Sequence, residues 1–202
     1  SMDVAATARS ITASEWLFRF GFVNFLLTAV FFLLAAWALY VVLKPVNKDL
    51  ALLFVLLNLG GVAIWCTILL FEFSALLLMS GAGYLKAFDA DQLQALGMLS
   101  LTLYQTGFMI AQILLNLWLF PLGYLVFKSG FLPKVLGVLL IIDGFAMLIW
   151  SFQFFFLSGW EVLSTLGLAI GFVAEGLFCL WLLIKGVNVE KWEKRAAGAA
   201  RA

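Results

Sequence analysis

The chain has 202 residues, of which 65% are hydrophobic and 11% are charged, and its formal net charge is +1. A soluble domain is usually about half apolar and about a quarter charged, because it must cover its surface with polar residues. This composition excludes an ordinary water-soluble fold, and the small net charge without a long basic run excludes nucleic acid as a partner.

The residues that usually carry metal or acid–base chemistry are scarce. Histidine is absent, which excludes histidine-ligated haem, the common His-based zinc sites and catalytic triads that use His. The two cysteines, Cys66 and Cys179, lie inside apolar runs, and neither belongs to a CxxC pair, so we expect no structural disulfide. We expect no metal, no cofactor and, since no nucleophile–base pair is apparent, no enzymatic activity.

The first half of the chain contains two long apolar segments. A hydrocarbon core about 30 Å thick needs about 20 helical residues to cross it. The first predicted span covers residues 17–43 and ends at Lys44-Pro45, because proline cannot continue a helix. The second covers residues 50–80, with Asn47 or Asp49 as its N-cap.

Three further spans follow a polar connection. The third is predicted over residues 92–127 with a kink at Pro121, the fourth over residues 133–156, and the fifth over residues 160–185. The tail, residues 187–202, is polar and basic, and we expect it to be frayed. The sequence therefore predicts an all-α, polytopic membrane bundle of about five transmembrane helices in a single membrane domain, residues 1–202.

The basic residues predict the orientation of these spans. With five spans, one side receives most of them, namely Lys44, Lys48, Lys128, Lys134, Lys185, Lys191, Lys194, Arg195 and Arg201. The other side receives Arg9, Arg19 and Lys86. Because Lys and Arg concentrate on the cytoplasmic side of membrane proteins, we expect the N-terminus outside and the C-terminus in the cytoplasm.

Polar and small residues form rows along two spans, at Gln105, Gln112, Asn116 and Gly123 in the third and at Gly167 and Gly171 in the fifth. Small residues let membrane helices approach closely, and amides bond across the interface. We predict helix packing for the three glycines. The amides are interpreted first as interhelical hydrogen-bonding groups, and the alternative is that they line a ligand site.

Three acids, Glu72, Asp143 and Glu175, lie within or near apolar spans, and no Lys or Arg lies deep in any span. A desolvated carboxylate takes up a proton, finds hydrogen-bond donors or faces water. One interpretation is a protonated acid bonded to a neighbouring amide. The other is a ligand site, for which Glu175 is the first candidate because the Gly167–Gly171 face directs it into the bundle. Acids without a base suit a cationic ligand better than an anionic one.

The segment LWLFPLGYLVFKSGFLPKVLGVLLII, residues 117–142, resembles the signature of a bacterial integral-membrane family catalogued as domain of unknown function 4386. The resemblance continues at Leu39-Tyr40, at Lys44-Pro45-Val46-Asn47, at Glu175 and at residues 181–186. It implies a polytopic helical protein of the bacterial inner (plasma) membrane. It carries no activity, and the signature itself is a helix–turn–helix hairpin without catalytic chemistry.

Two departures from the family pattern are apparent. Family members usually have one further helix before the segment that resembles residues 12–22, and we expect this chain to lack it. Residues 1–15 are mostly small or polar and lack the apolar core of a secretory signal, so we also expect no cleavable signal peptide. At residues 104–108 (YQTGF) the resemblance predicts a histidine and an acid before the Gly-Phe pair, and neither is present.

Three functions remain open from the sequence. The first is the binding of a lipid or a small lipophilic or cationic ligand in the bundle, near Glu175, Asp143, Glu72 and the amide row of the third span. The second is a structural or assembly role with another membrane protein or a second copy of the chain. The third is proton- or cation-coupled transport through the same acids, although no inverted repeat is evident. Membrane lipids are expected partners in each case.

Overall fold

The computed structural model describes residues 15–80, 82–156 and 161–199, with the side chains of Glu15, Phe18, Glu161, Leu163 and Ser164 left out. Every regular element in these ranges is helical. The elements are α1 (Glu15–Leu43), α2 (Lys48–Met79), a short 3-10 helix (Gly83–Ala87), α3 (Ala90–Leu117), α4 (Leu119–Ser129), α5 (Lys134–Phe156), α6 (Glu161–Ile184) and α7 (Val189–Ala199).

Within the described residues, 5 segments are long and apolar enough to cross a membrane. They are Arg19–Leu43, Lys48–Met79, Ala90–Ser129, Lys134–Phe156 and Thr165–Ile184. Large apolar side chains on these segments are exposed, as at Phe31, Leu70 and Phe172, which suits lipid as the surrounding solvent. The predicted all-α membrane bundle of five spans is confirmed.

Local hydrogen bonds define the ends of these helices. Asn47 caps α2, since its Oδ1 accepts a bond from the Leu50 amide at 2.9 Å. Asp89 and Gln92 form a reciprocal capping box at the start of α3, with 2.8 Å and 3.1 Å bonds between side chains and amides. Gly130 (φ 76°) and Gly186 (φ 63°) follow α4 and α6 in the left-handed conformation that terminates helices without a Cβ penalty.

The third span is broken at Trp118. The proline ring of Pro121 has no N–H and crowds the carbonyl four residues earlier, which is that of Leu117, the last residue of α3. Backbone bonds resume on either side, from the Trp118 amide to Leu114 O at 3.3 Å and from the Leu122 amide to Trp118 O at 3.2 Å. The interruption near Pro121 therefore divides one span into α3 and α4.

The chain divides into two compact units. Unit 1 contains the described residues up to Phe31 together with Val62–Ile110, and unit 2 contains Phe32–Gly61 and the described residues from Ala111 onward. Unit 1 has a small apolar core that includes Trp65, Ile68 and Leu76. Its aromatic rings meet edge to face, with the Trp65 ring centroid 6.0 Å from that of Phe25 and 6.0 Å from that of Phe108.

Unit 2 holds the larger core, built around buried side chains of α1, α2, α4, α5 and α6. Its fully buried members include Leu43, Phe54, Leu122 and Leu140. The α4–α5 hairpin packs backbone against backbone, because a Cβ added to Gly137 would lie 2.6 Å from both the Gly123 oxygen and the Phe127 nitrogen. Only glycine permits this separation, so the two helices are in direct backbone contact here.

Helix α7 differs from the expectation of a frayed tail. The Lys191 amide bonds to Asn188 Oδ1 at 3.0 Å, an N-cap, and the Asn188 amide bonds to Phe131 O at 3.1 Å. Trp192 packs against the core of unit 2 and donates its indole N–H to Val42 O at 2.8 Å. The expectation failed because composition alone describes a polar segment, whereas the half-buried indole of Trp192 and the Asn188 cap hold the helix against the end of α1.

We expect Gly137→Ala to lower the thermal unfolding temperature in detergent, because the new methyl group overlaps backbone atoms that cannot rotate away. Overpacking of this kind costs roughly 1–3 kcal/mol. Gly176→Ala is the matched control, since its Cβ would meet nothing within 4 Å and alanine is the better helix former. Equal unfolding temperatures for the two variants would contradict close packing at Gly137.

We expect Trp192→Phe to loosen α7 without unfolding the spans. Phenylalanine keeps the ring in the core but loses the bond to Val42 O, at a cost of about 0.5–1.5 kcal/mol. Hydrogen exchange of the amides of residues 189–199 should become faster, while exchange in α5 stays unchanged. Lys194→Ala, which removes an exposed ion pair to Glu190, is the control and should leave the exchange of α7 nearly unaltered.

Candidate functional site

Unit 2 contains a cavity of about 320 Å³. Four segments of the chain line it: Phe32, Ala35, Ala38, Leu39 and Val42 from α1, Trp118, Leu119 and Leu122 at the α3–α4 break, Leu140 from α5, and Glu175, Phe178, Cys179 and Leu182 from α6. This volume lies at the lower end of the range found for small-molecule sites, which are concave and mostly apolar with a few polar groups.

The cavity has a closed inner wall and an open side. Trp118, Leu122 and Phe178 are buried, and the Trp118 ring lies 5.6 Å from that of Phe32. Among the lining residues Ala38 on α1 and Cys179 on α6 are exposed. Both belong to segments that are long and apolar enough to cross a membrane, so we expect an opening beside them to face the hydrocarbon.

Glu175 is the charged residue on the cavity wall. It shares one face of α6 with Phe178, Cys179 and Leu182, at the spacing that places side chains above one another on a helix. About nine residues separate it from Ile184, which places it about 14 Å from that end of α6, close to the middle of a bilayer core. Its side chain is half-buried, so the carboxyl group borders the cavity.

Asp143 lies deeper than Glu175. Its side chain is 0% exposed, and neither carboxyl oxygen has a hydrogen-bond partner among the described residues. Its Oδ1 lies 2.9 Å from the position that a Cβ of Gly171 would occupy, one turn before Glu175 on α6. Asp143 therefore contacts the turn of α6 that precedes Glu175. The structure thus brings together Glu175, Asp143 and the glycine row of the fifth span.

The amide side chains of the third span lie in different environments. Asn116 is buried and donates from Nδ2 to Met147 O at 3.0 Å and to Ser151 Oγ at 2.9 Å, so it joins α3 to α5. Gln112 is half-buried. Neither residue lines the cavity wall. These contacts support the interpretation of Asn116 as an interhelical hydrogen-bonding group.

The other two candidate residues belong to unit 1. Gln105 is exposed. Glu72 is half-buried, and its Oε2 is enclosed without a hydrogen-bond partner among the described residues. Unit 1 has its own apolar groove of about 600 Å³, but neither Gln105 nor Glu72 lines it. The structure therefore gives neither residue a place at a cavity.

The three glycines predicted to mediate packing all lie against other chain segments in unit 2. A Cβ at Gly123 would lie 2.8 Å from Gly137 O, and one at Gly167 would lie 2.9 Å from Ala146 O. Gly171 faces Asp143 and Met147, with the Met147 sulfur 3.1 Å from its Cβ position. Gly167 and Gly171 thus bring α6 against α5, with Asp143 packed against Gly171 one turn before Glu175.

Sequence reasoning missed most of the cavity wall, including Phe32, Trp118, Phe178 and Cys179. One signal was available, because Glu175, Phe178, Cys179 and Leu182 follow the i, i+3, i+4, i+7 pattern of a single helix face. The remaining wall residues come from segments far apart in sequence, and no local pattern connects them.

This chain is similar to a known protein family and to an archaeal protein. The family described as Domain of unknown function (DUF4386) matches residues 1–186. A relative from Archaeoglobus fulgidus, described as an uncharacterized protein, is 32% identical over 151 residues, which cover 75% of this chain and 74% of the relative. No solved structure shows a significant match.

The resemblance based on residues 117–142 is confirmed, while the archaeal relative gives no support to the narrower expectation of a bacterial protein. Helix α7 lies beyond the matched residues. The chain belongs to the family described as Domain of unknown function (DUF4386).

Proposed function

We propose that this membrane protein binds a small lipophilic ligand, a lipid or a cationic lipophile, in the cavity of unit 2. The observation that carries the proposal is a single half-buried carboxyl group, Glu175, on the wall of an otherwise apolar cavity. Sites of this kind bind an apolar body through the wall and select its polar group through one or two placed side chains.

The free-energy cost of burying the Glu175 carboxyl group at this depth also supports the proposal. A carboxyl group taken out of water without a partner destabilises the fold. The described Lys and Arg residues of unit 2 lie at the ends of the spans, as at Lys128, Lys134 and Lys185, or in α7. Retention of Glu175 at mid-membrane depth is therefore explained by a ligand that supplies the missing hydrogen-bond partner.

Binding of this kind involves no catalytic step.

Coupled transport by the same acids is a second candidate. It is favoured by the buried position of Asp143 one turn from Glu175, since carboxyl groups inside a membrane often mark a proton or ion path. A third candidate is assembly with another membrane protein or with a second copy of the chain. The exposed apolar faces of the spans support it, although membrane lipids can cover the same faces.

We expect the wild-type protein, extracted gently from membranes, to retain a bound molecule that native mass spectrometry detects. Glu175→Gln should lose it, because the amide keeps the shape of the side chain but not its charge. Ala38→Trp should lose it too, since the indole would occupy the opening of the cavity. Lipid and metabolite identification of the retained mass gives its chemical class.

Glu72→Gln is the matched control, because it makes the same substitution in unit 1, at a residue that lines neither cavity nor groove. The control should retain the molecule as the wild type does. Identical spectra for all four proteins, with bulk lipid alone, would rule out a specific site at Glu175.

We further propose that the protein lies in the inner (plasma) membrane with its C-terminus in the cytoplasm, because Lys44, Lys128, Lys134 and Lys185 flank the spans on one side. A C-terminal green fluorescent protein fusion expressed in a bacterial host should fluoresce, and a C-terminal alkaline phosphatase fusion should be inactive. The reverse pair of results would show the opposite orientation.

A further inference from the structure

We propose that the ligand of the unit 2 cavity is an aliphatic amine, whose ammonium group lies against Glu175 with Asp143 as the second negative group, and whose apolar tail extends towards the opening between α1 and α6. This inference rests on the proposed function and specifies its substrate class.

The first observation is that the buried carboxyl group of Asp143 lacks hydrogen-bond partners in the described part of the chain. It is fully buried, yet both of its oxygens lack a hydrogen-bond partner among the described residues. Buried polar groups in native proteins are almost always bonded, so a carboxyl group in this condition calls for a missing donor. Glu175 lies one turn beyond Gly171, the residue that Asp143 Oδ1 contacts, so a positive charge held at Glu175 would also lie near Asp143, which is behind the cavity wall.

The second observation is the scarcity of side-chain donors on the wall. Apart from Glu175 the wall consists of aliphatic and aromatic side chains, and its donors are the Trp118 indole N–H and the weak Cys179 thiol. An ammonium group has three N–H donors and no acceptor, which matches a pair of acceptors in an apolar setting. A carboxylate or phosphate head group would instead place its acceptor oxygens against those of the Glu175 carboxyl group.

Metal cations fit less well than an amine. Ca²⁺ takes about six to eight oxygen ligands and Mg²⁺ about six. Among the described residues, no group of three or more His, Cys, Asp or Glu is placed to hold a metal ion, and the wall lining offers one carboxyl group. The aromatic rings of Phe32, Trp118 and Phe178 suit an organic cation, since they contact its apolar part and attract positive charge at their faces.

The shape of the cavity favours an amine with a tail. The exposed wall residues Ala38 and Cys179 lie within the candidate spans of α1 and α6, so entry beside them would be from the hydrocarbon, a route that a fully hydrated cation cannot follow. An aliphatic amine can enter from the bilayer with its head directed inward. The volume of about 320 Å³ accommodates the head and a short tail, while a longer tail would remain among the lipid chains.

The test compares three probes of equal chain length, n-octylamine, 1-octanol and octanoate. Their binding to the full chain in lipid nanodiscs is measured by equilibrium dialysis, with binding to empty nanodiscs subtracted. We expect wild type to bind octylamine at least about tenfold more tightly than octanol, as expected for a hydrogen bond to a charged group. Octanoate should bind most weakly.

The variants are Glu175→Gln, Asp143→Asn and Glu72→Gln. The first two should lose the preference for octylamine over octanol while binding octanol as before, and Glu72→Gln should keep the preference. Asp143→Asn and Glu175→Gln preserve side-chain shape, and unchanged octanol binding shows that each variant is folded.

Equal binding of the three probes, with binding abolished by Ala38→Trp, would overturn the amine assignment and leave the proposed lipophile site intact. Failure of every probe to bind, together with no molecule retained in native mass spectrometry, would overturn both. Loss of preference in Glu175→Gln but not in Asp143→Asn would overturn the role of Asp143 as the second negative group.

Discussion

Hydrocarbon offers no hydrogen-bond partner, so every polar group in the spans must be bonded within the protein or left at a cost. Most of this chain obeys the rule locally. The hydroxyls of Thr28, Thr67 and Thr106 each donate to a carbonyl four residues earlier on the same helix, at 2.8–2.9 Å. Asn116 satisfies its amide across a helix interface. Two side chains depart from this pattern, because Asp143 and Asn58 are fully buried and none of their side-chain polar atoms has a hydrogen-bond partner among the described residues.

The position of Asp143 follows from the glycines. Gly167 and Gly171 carry no side chain into the α5–α6 contact, so the helices pack with Ala146 O and Asp143 Oδ1 directly against the α6 backbone. Any larger residue at 171 would displace the carboxyl group. The same close packing brings Glu175 of α6 beside Leu140 of α5 at the cavity wall. The packing motif and the candidate site are therefore one arrangement, and a change in the first alters the second.

The membrane architecture was largely predictable because the hydrocarbon core requires each spanning helix to be both apolar and about 20 residues long. Helix ends were predictable wherever a local rule governs them, as at Pro45, Asn47 and Gly130. Helix α7 was not, since its stability depends on a bond between Trp192 and Val42, residues far apart in the chain. The cavity was not predictable for the same reason, although Glu175 was identified as a candidate from its glycine row. Gln105 shows the limit of that reasoning, because a polar residue in register on a helix need not face the interior.

A cavity that opens into the bilayer is always in contact with lipid chains, and this condition bears on selectivity. The apolar wall formed by Phe32, Leu122 and Phe178 favours any acyl chain over water, but lipid chains are already in hydrocarbon and gain little by entering. Contact with the wall therefore cannot distinguish a ligand from the surrounding lipid. In the proposed site, discrimination would come from the group that hydrocarbon cannot satisfy, which is the carboxyl group of Glu175. Chemical identity at the head of the ligand, rather than the length of its tail, should thus determine which molecule displaces lipid from this site.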